Sequence, residues 1–386
     1  MVAGHLQEKH EHFYIVLNYS GFSGKRVTKW IATGLPVKGN KRKAEKLLLE
    51  TRQSFEPDKP ADQDTLLFSD YMREWLKSVK PNVEATTYAS YTYQVKQIGA
   101  YFDSKRIALK DLTAKDIQDF YTFLLNERGV TANTVIHSHA NIRKALQYAV
   151  RMKMITTNPA LDVDRPKIQK FIGSFYDVEN LNELFAVVKG HKIELAVKLA
   201  AFYGLRRSEV VGLKWDAIDF HNKKITIRHT VSQVSVDGKY SIVAKDRAKT
   251  KSSLRSLPLV AEFEEFLLAL KTRQEEFKRL CGRCYNYEYD GYIYVDEMGN
   301  LIRPNFITQN FEIALNNNGL KKIRFHDLRH SCASLLLANG VSLKEIQEWL
   351  GHSDFSTTAN IYAHLDKSTK TNSANAILAS GLKLSG

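Results

Sequence analysis

The stretch Phe325-His326-Asp327-Leu328-Arg329-His330, continued through Leu350-Gly351-His352 to Ile361-Tyr362-Ala363-His364, decides how the rest of the chain is read. From His326 onward Leu328, Cys332, Leu335 and Leu336 fall on one helical stripe, which puts His326 and Arg329 one turn apart on a shared face near the helix start. Gly340 ends that helix. Ser342, with Glu345 three positions on, has capping-box spacing, and Leu343, Ile346 and Leu350 give the next helix a buried stripe. After the tight turn at Gly351, the polar run from Ser353 to Thr358 leads into a short helix in which Ile361 and Leu365 pack inward beside Tyr362. Short helical pieces thus deliver histidines, an arginine and a tyrosine, residue types that phosphate chemistry uses.

The chain has 386 residues, enough for two or three domains, and its 44% hydrophobic content is ample for their cores. Lys and Arg number 56 against 42 Asp and Glu, a formal charge of +14 that favours a polyanionic partner, nucleic acid first among them. There is no apolar run of about 18 residues and no signal-peptide core in the polar, His-rich segment before Phe13, so the expectation is a soluble cytoplasmic protein with no membrane partner. Three cysteines predict no disulfide framework. Cys281-Gly-Arg-Cys284 has the spacing of half a zinc site, but no second Cys or His pair lies near it to complete four ligands, so no metal is expected.

In chain order, residues 13–19 and 26–33 are rich in β-branched and aromatic residues around the turn cluster 20–24 and predict a small sheet. Residues 40–55 predict a helix with Ala44, Leu47, Leu48 and Thr51 on the sheet. This module, residues 1–55, is either a structural appendage or a DNA-binding unit with Arg26, Lys29 and Trp30 directed at a groove. Residues 56–64 are a Pro- and acid-rich linker. Residues 65–162 carry four apolar stripes: Phe68, Tyr71, Trp75 and Leu76; Tyr88, Tyr91, Val95, Ile98 and Phe102; Ile117, Phe120, Tyr121, Leu124 and Leu125; Val135, His139, Ile142, Leu146 and Ala149. They predict an all-α bundle. The opposite faces hold Thr86, Thr87, Lys96, Asn133, Thr134, His137, Asn141 and Lys144, suited to phosphates and base edges, although a plain solvated face has the same composition. A basic linker, 163–173, with Arg165 and Lys167, leads to a larger mixed domain from residue 174 to 386, mostly helical with strands at 224–230 and 240–243. The fold class expected is therefore mainly α with small β parts.

Five motifs stand in order along that last domain: Gly204-Leu205-Arg206 with Glu209, Lys249-Thr250 ahead of Leu257-Pro258, His326 with Arg329, Leu350-Gly351-His352, and Tyr362. In this order and spacing they resemble the tyrosine recombinase, or phage integrase, family, over the bundle and the last domain. The first 55 residues resemble, more loosely, the arm-site-binding domain of integrases from conjugative transposons and related phages. The resemblance implies that Tyr362 is the nucleophile, that Arg206 and Arg329 bind the scissile phosphate, and that Lys249 protonates the departing 5′-oxygen. It further implies that His326 assists proton transfer from the tyrosine and that His352 hydrogen-bonds the phosphate. Two forked guanidiniums suit the two non-bridging oxygens of a phosphodiester, and they count most when the transition state gathers charge. Glu209 is expected to orient Arg206 or a histidine, since DNA repels a carboxylate. Lys251 is expected on DNA beside Lys249.

The implied reaction is transesterification through a 3′-phosphotyrosyl bond, needing no cofactor, metal or ATP, and the sequence has neither a P-loop nor an acidic metal-binding cluster. The implied partners are double-stranded DNA attachment sites, a homotetramer on two such sites, an excisionase and a DNA-bending protein. Ala374, Ile377, Leu378 and Leu382 form an apolar patch in the tail that suits docking on a neighbouring protomer. Two other readings use the same residues: a type IB topoisomerase, and a catalytically silent DNA-binding regulator of the same fold.

Overall fold

The computed structural model describes residues 3–20, 26–55, 66–168, 174–246 and 254–352. Outside them lie residues 21–25 and 56–65, the latter including the linker expected at 56–64, residues 169–173, Lys249, Lys251, Tyr362 and the apolar tail. Two compact units result, one holding the described residues up to Val83 together with Ser90–Ile168, the other Glu84–Ala89 and the described residues from 174 on.

In the first unit, β1 (Ala3–Lys9), β2 (His12–Ser20) and β3 (Arg26–Pro36) form an antiparallel sheet in that order, with helix α1 (Lys41–Ser54) on one face. Strand β1 was not foreseen, because Leu6 is the one large aliphatic residue within it. Phe13, Ile15 and Leu17 are buried, and β3 alternates between half-buried odd and exposed even positions. That alternation corrects the DNA-facing set. Lys29 and Trp30, being neighbours on a strand, point to opposite faces. Lys29 Nζ sits 5.4 Å from the ring of Phe55 at the end of α1, whereas Trp30 is exposed on the other face against Tyr14. The side chain of Arg26 lies outside the described residues. Leu47 is also exposed, with Ala44 the fully buried contact, because a 14-residue helix over three short strands covers little more than one stripe.

Four helices follow: α2 (Phe68–Val79), α3 (Ala85–Lys105), α4 (Ala114–Asn126) and α5 (Ala132–Arg151). Their facing stripes bury Phe68, Trp75, Phe102, Phe120 and Leu146 in one core, each such side chain contributing roughly 1.5–3 kcal/mol. Thr113 and Asp116 close a capping box at the start of α4, and Thr131 caps α5. Of the proposed polar face, Thr86, Lys96, Asn133, His137 and Lys144 are exposed, and Thr87 and Thr134 are half-buried. Asn141 is buried and donates to the carbonyl of His137, which removes it from the DNA-facing set. The buried stripe of α5 is wide enough to take in Ser138, Asn141 and Ala145, a turn apart, beside Ile142. Arg165 and Lys167 are exposed.

The second unit opens with α6 (Val178–Val188), α7 (Glu194–Phe202) and the short α8 (Arg207–Val211). Strands β4 (Ile218–Asp219), β5 (Lys224–Ile227), β6 (His229–Val236), β7 (Lys239–Asp246) and β8 (Arg255–Pro258) make a three-stranded sheet, β4-β5-β8, and a separate hairpin, β6-β7. The single strand expected at 224–230 is thus two strands that serve different sheets, divided at Arg228. Helices α9 (Ala261–Cys281), α10 (Pro304–Asn317), α11 (Asp327–Ala338) and α12 (Leu343–Leu350) complete it. Cys281 and Cys284, at the end of α9, are both free thiols. Among the described residues no helix is long and apolar enough to cross a membrane.

Candidate active site

The site is built where the end of α7, the start of α11 and the end of α12 meet. Chain reversal after α7 uses Gly204 at φ +64°, and a Cβ there would collide with Leu350, so the close approach of α7 to α12 requires glycine. Arg206 caps α8, and Glu209 one turn later folds back to accept from Arg206 N at 2.9 Å and Arg206 Nη1 at 2.8 Å. Arg329, on the first turn of α11, is 2% exposed and ties the three elements together. Its Nη1 donates to the carbonyl of Gly204 and its Nη2 to that of Leu350 at 2.6 Å. Arg206 Nη2 reaches toward the next carbonyl, Gly351, at 3.4 Å.

His352 follows at once. Ser342 and Glu345 cap α12 reciprocally, Gly351 ends it in the left-handed conformation, and Gln347 accepts from His352 N at 3.1 Å and donates to His352 O at 3.0 Å. His326 is held by the turn before α11, where buried Asp327 accepts from Arg324 N at 2.8 Å and from its guanidinium. Arg206, Arg329, His326 and His352 are therefore brought to one place, with Glu209 beneath. Arg206 keeps 30% of its side chain exposed, and Arg329 is almost closed over.

The electrostatics follow from this crowding of cations. Partial desolvation, then His330, Arg329 and Arg206, push the exposed-edged His326 down to about 4. Burial, then Arg329 and Arg206, push His352 down to about 3. Both imidazoles are thus neutral at physiological pH, each with one N–H to donate and one nitrogen to accept. Burial and Arg206 lower Arg329 from its usual range. Burial works to raise Glu209, but Arg255 and Arg206 outweigh it and hold the carboxyl at about 2.

A folded-state value near 2 against 4.5 unfolded stabilises the fold by about 3 kcal/mol above pH 4.5, lost as pH falls toward 2. The expected outcome is a wild-type advantage over Glu209→Gln that is full at neutral pH and shrinks between pH 4.5 and 2. Denaturant unfolding at a series of pH values checks it, and a constant gap contradicts it.

Two residues escaped the sequence reading. Arg255 follows Lys245, Arg247, Lys249 and Lys251 in a basic stretch of the sequence, yet it is buried on Glu209. His330 stacks edge to face on His326, centroids 5.3 Å apart, and its Nδ1 has no partner among the described residues. The helical spacing of four between His326 and His330 was the available signal.

The model of the phage integrase family matches residues 175–369, half of the chain, and that of the phage integrase SAM-like domain matches residues 67–165. The chain belongs to the phage integrase family. The chain is similar to a tyrosine recombinase XerC-like protein of Caldanaerobacter subterraneus subsp. tengcongensis, 29% identical over 329 residues that cover 82% of this chain and 83% of the relative. The ICEBs1 integrase of Bacillus subtilis is 24% identical over 86% of this chain and 88% of its own. Among solved structures, the Tn1549 transposon integrase in complex with a circular intermediate DNA superposes with a TM-score of 0.65, at 17% identity, over 81% of this chain and 99% of that one. A lambda integrase tetramer bound to a Holliday junction gives 0.56 at 17% identity over 92% and 94%. These two likenesses establish the shared, mainly α fold with small antiparallel sheets. As a phage integrase the chain is a tyrosine site-specific recombinase, related to integrases of conjugative transposons.

Proposed function

We propose that this recombinase cuts and rejoins double-stranded DNA attachment sites through a 3′-phosphotyrosyl bond on Tyr362, to integrate and excise a mobile element. The observation that carries the reading is the convergence of Arg206 and Arg329, tied through Glu209 and the carbonyls of Gly204 and Leu350, with His326 and His352 close enough to feel both guanidiniums. Arg206 offers an open guanidinium edge to a non-bridging phosphate oxygen, and Arg329 supplies fixed positive charge behind it. Neutral His326 is suited to take the phenolic proton as Tyr362 attacks phosphorus, and neutral His352 to donate to a phosphate oxygen. Lys249 gives a proton to the departing 5′-oxygen. The freed 5′-hydroxyl then attacks the equivalent phosphotyrosyl bond of a second duplex, which conserves bond energy and regenerates the tyrosine.

The lambda relative is a tetramer on a Holliday junction, and we assign this chain the same state on two sites. The apolar tail would link protomers, while an excisionase and a bending protein set direction on the nucleoid. The module 1–55 is assigned arm-site DNA, and the bundle, 65–162, with the linker 163–173, the core site. Trp30 stands exposed in the module, Lys96, Asn133 and His137 in the bundle, and Arg165 and Lys167 in the linker.

Two labelled duplexes carrying the element's junctions test the reading. Joined products are expected on mixing them with the full-length chain. Relaxation of supercoiled DNA without joining would support the topoisomerase reading instead, and binding with no cleavage would support a silent regulator.

A further inference from the structure

Arg255 belongs to none of the motifs, yet it is part of the scaffold on which Arg206 stands. It opens β8, and 6% of its side chain is exposed. Its Nη1 donates to Glu209 Oε1 at 3.3 Å and its Nη2 to Oε2 at 3.0 Å. Glu209 has no exposed side-chain surface and takes Arg206 Nη1 on Oε1 and Arg206 N on Oε2. Each carboxylate oxygen thus receives a donor from each arginine, which fixes the plane of the group. Loss of Arg255 removes two of these donors and loosens the hold of the carboxylate on the Arg206 guanidinium.

A second contact joins Arg255 to the other side of the site. A Cβ on Gly351 would lie 2.9 Å from Arg255 Nη1 and 3.1 Å from its Cδ, so the turn that presents His352 rests directly on this guanidinium. The same side chain therefore supports the carboxylate that aims Arg206 and the turn that aims His352.

We propose that Arg255 is a positioning residue for strand cleavage, acting through Glu209 on Arg206 without touching DNA. The assignment rests on the reading of Arg206 as a phosphate donor. A purely structural ion pair would stabilise the domain and slow every variant alike. A positioning residue has effect only while Arg206 is there to be aimed.

The test compares full-length wild type, Arg255→Lys, Arg255→Met, Arg206→Ala and the double variant Arg206→Ala with Arg255→Lys. The probe is a nicked suicide duplex carrying the element's junction, read as the single-turnover rate of covalent adduct formation, with DNA affinity and thermal unfolding measured alongside. Lysine keeps the charge but not the planar fork. Arg255→Lys is expected to fold, to bind DNA as wild type does, and to cleave about 10- to 100-fold more slowly, the range for groups that orient a catalytic ligand. In the Arg206→Ala background the same substitution is expected to have no further effect. An equal loss in both backgrounds would overturn the assignment, as would an unchanged rate in Arg255→Lys or in folded Arg255→Met. Absence of adduct from wild type itself would overturn the recombinase reading and this assignment with it, and the wild-type lane alone distinguishes that case.

Discussion

Tyr362→Phe is expected to abolish covalent capture of DNA while leaving DNA affinity intact. The substitution removes only one oxygen, the atom proposed to attack phosphorus. A free phenol has a pKa of about 10, and nearby positive charge favours its ionised form during attack. Three tyrosines among the described residues of the second unit are poor substitutes. Tyr176, Tyr203 and Tyr294 are buried, and burial raises all three. Each hydroxyl already donates to a backbone carbonyl, of Lys321, Pro258 and Lys192 respectively. Gel separation of protein-linked DNA on a suicide substrate measures the effect, and adduct formed by Tyr362→Phe would show that another residue is the nucleophile.

Arg206→Ala is expected to slow single-turnover cleavage by roughly 10²- to 10³-fold, the usual consequence of losing one preorganised donor to developing charge. Ground-state affinity should change little, because many basic groups share the binding of the phosphate backbone. The loss exceeds that of an exposed ion pair because Arg206 is not free to relax. Its backbone N–H and one terminal nitrogen are both committed to a buried carboxylate, so its open edge is pre-aimed. Stability should also fall, since Glu209 then keeps Arg255 as its main charge partner.

The local signals in the sequence carried the fold a long way. The capping box at Ser342 and Glu345, the stop at Gly340 and the four stripes of the bundle are contacts between residues three or four apart, and such contacts can be read without knowing the tertiary structure. What escaped depended on which chain segments meet. Continuous alternation from Ile225 to Val231 hides the switch at Arg228 from one sheet to another. Lys29 and Trp30 were read as one surface because both residue types suit DNA, although the period of a strand separates them. Asn141 has a polar identity but a core position, satisfied in part by its own helix. Arg255 lay in a run of charges whose solvated appearance gave no hint of Glu209, which is close in space and distant in sequence.

The central claim is that Arg206 serves the negative charge of one scissile phosphate. A duplex with a neutral methylphosphonate at that position removes the charge and leaves the rest of the DNA alone. Cleavage rates for wild type and Arg206→Ala, on phosphate and on methylphosphonate, measure the claim directly. The account predicts a large gap between the two proteins on phosphate that closes on methylphosphonate. The same gap on both substrates would contradict it.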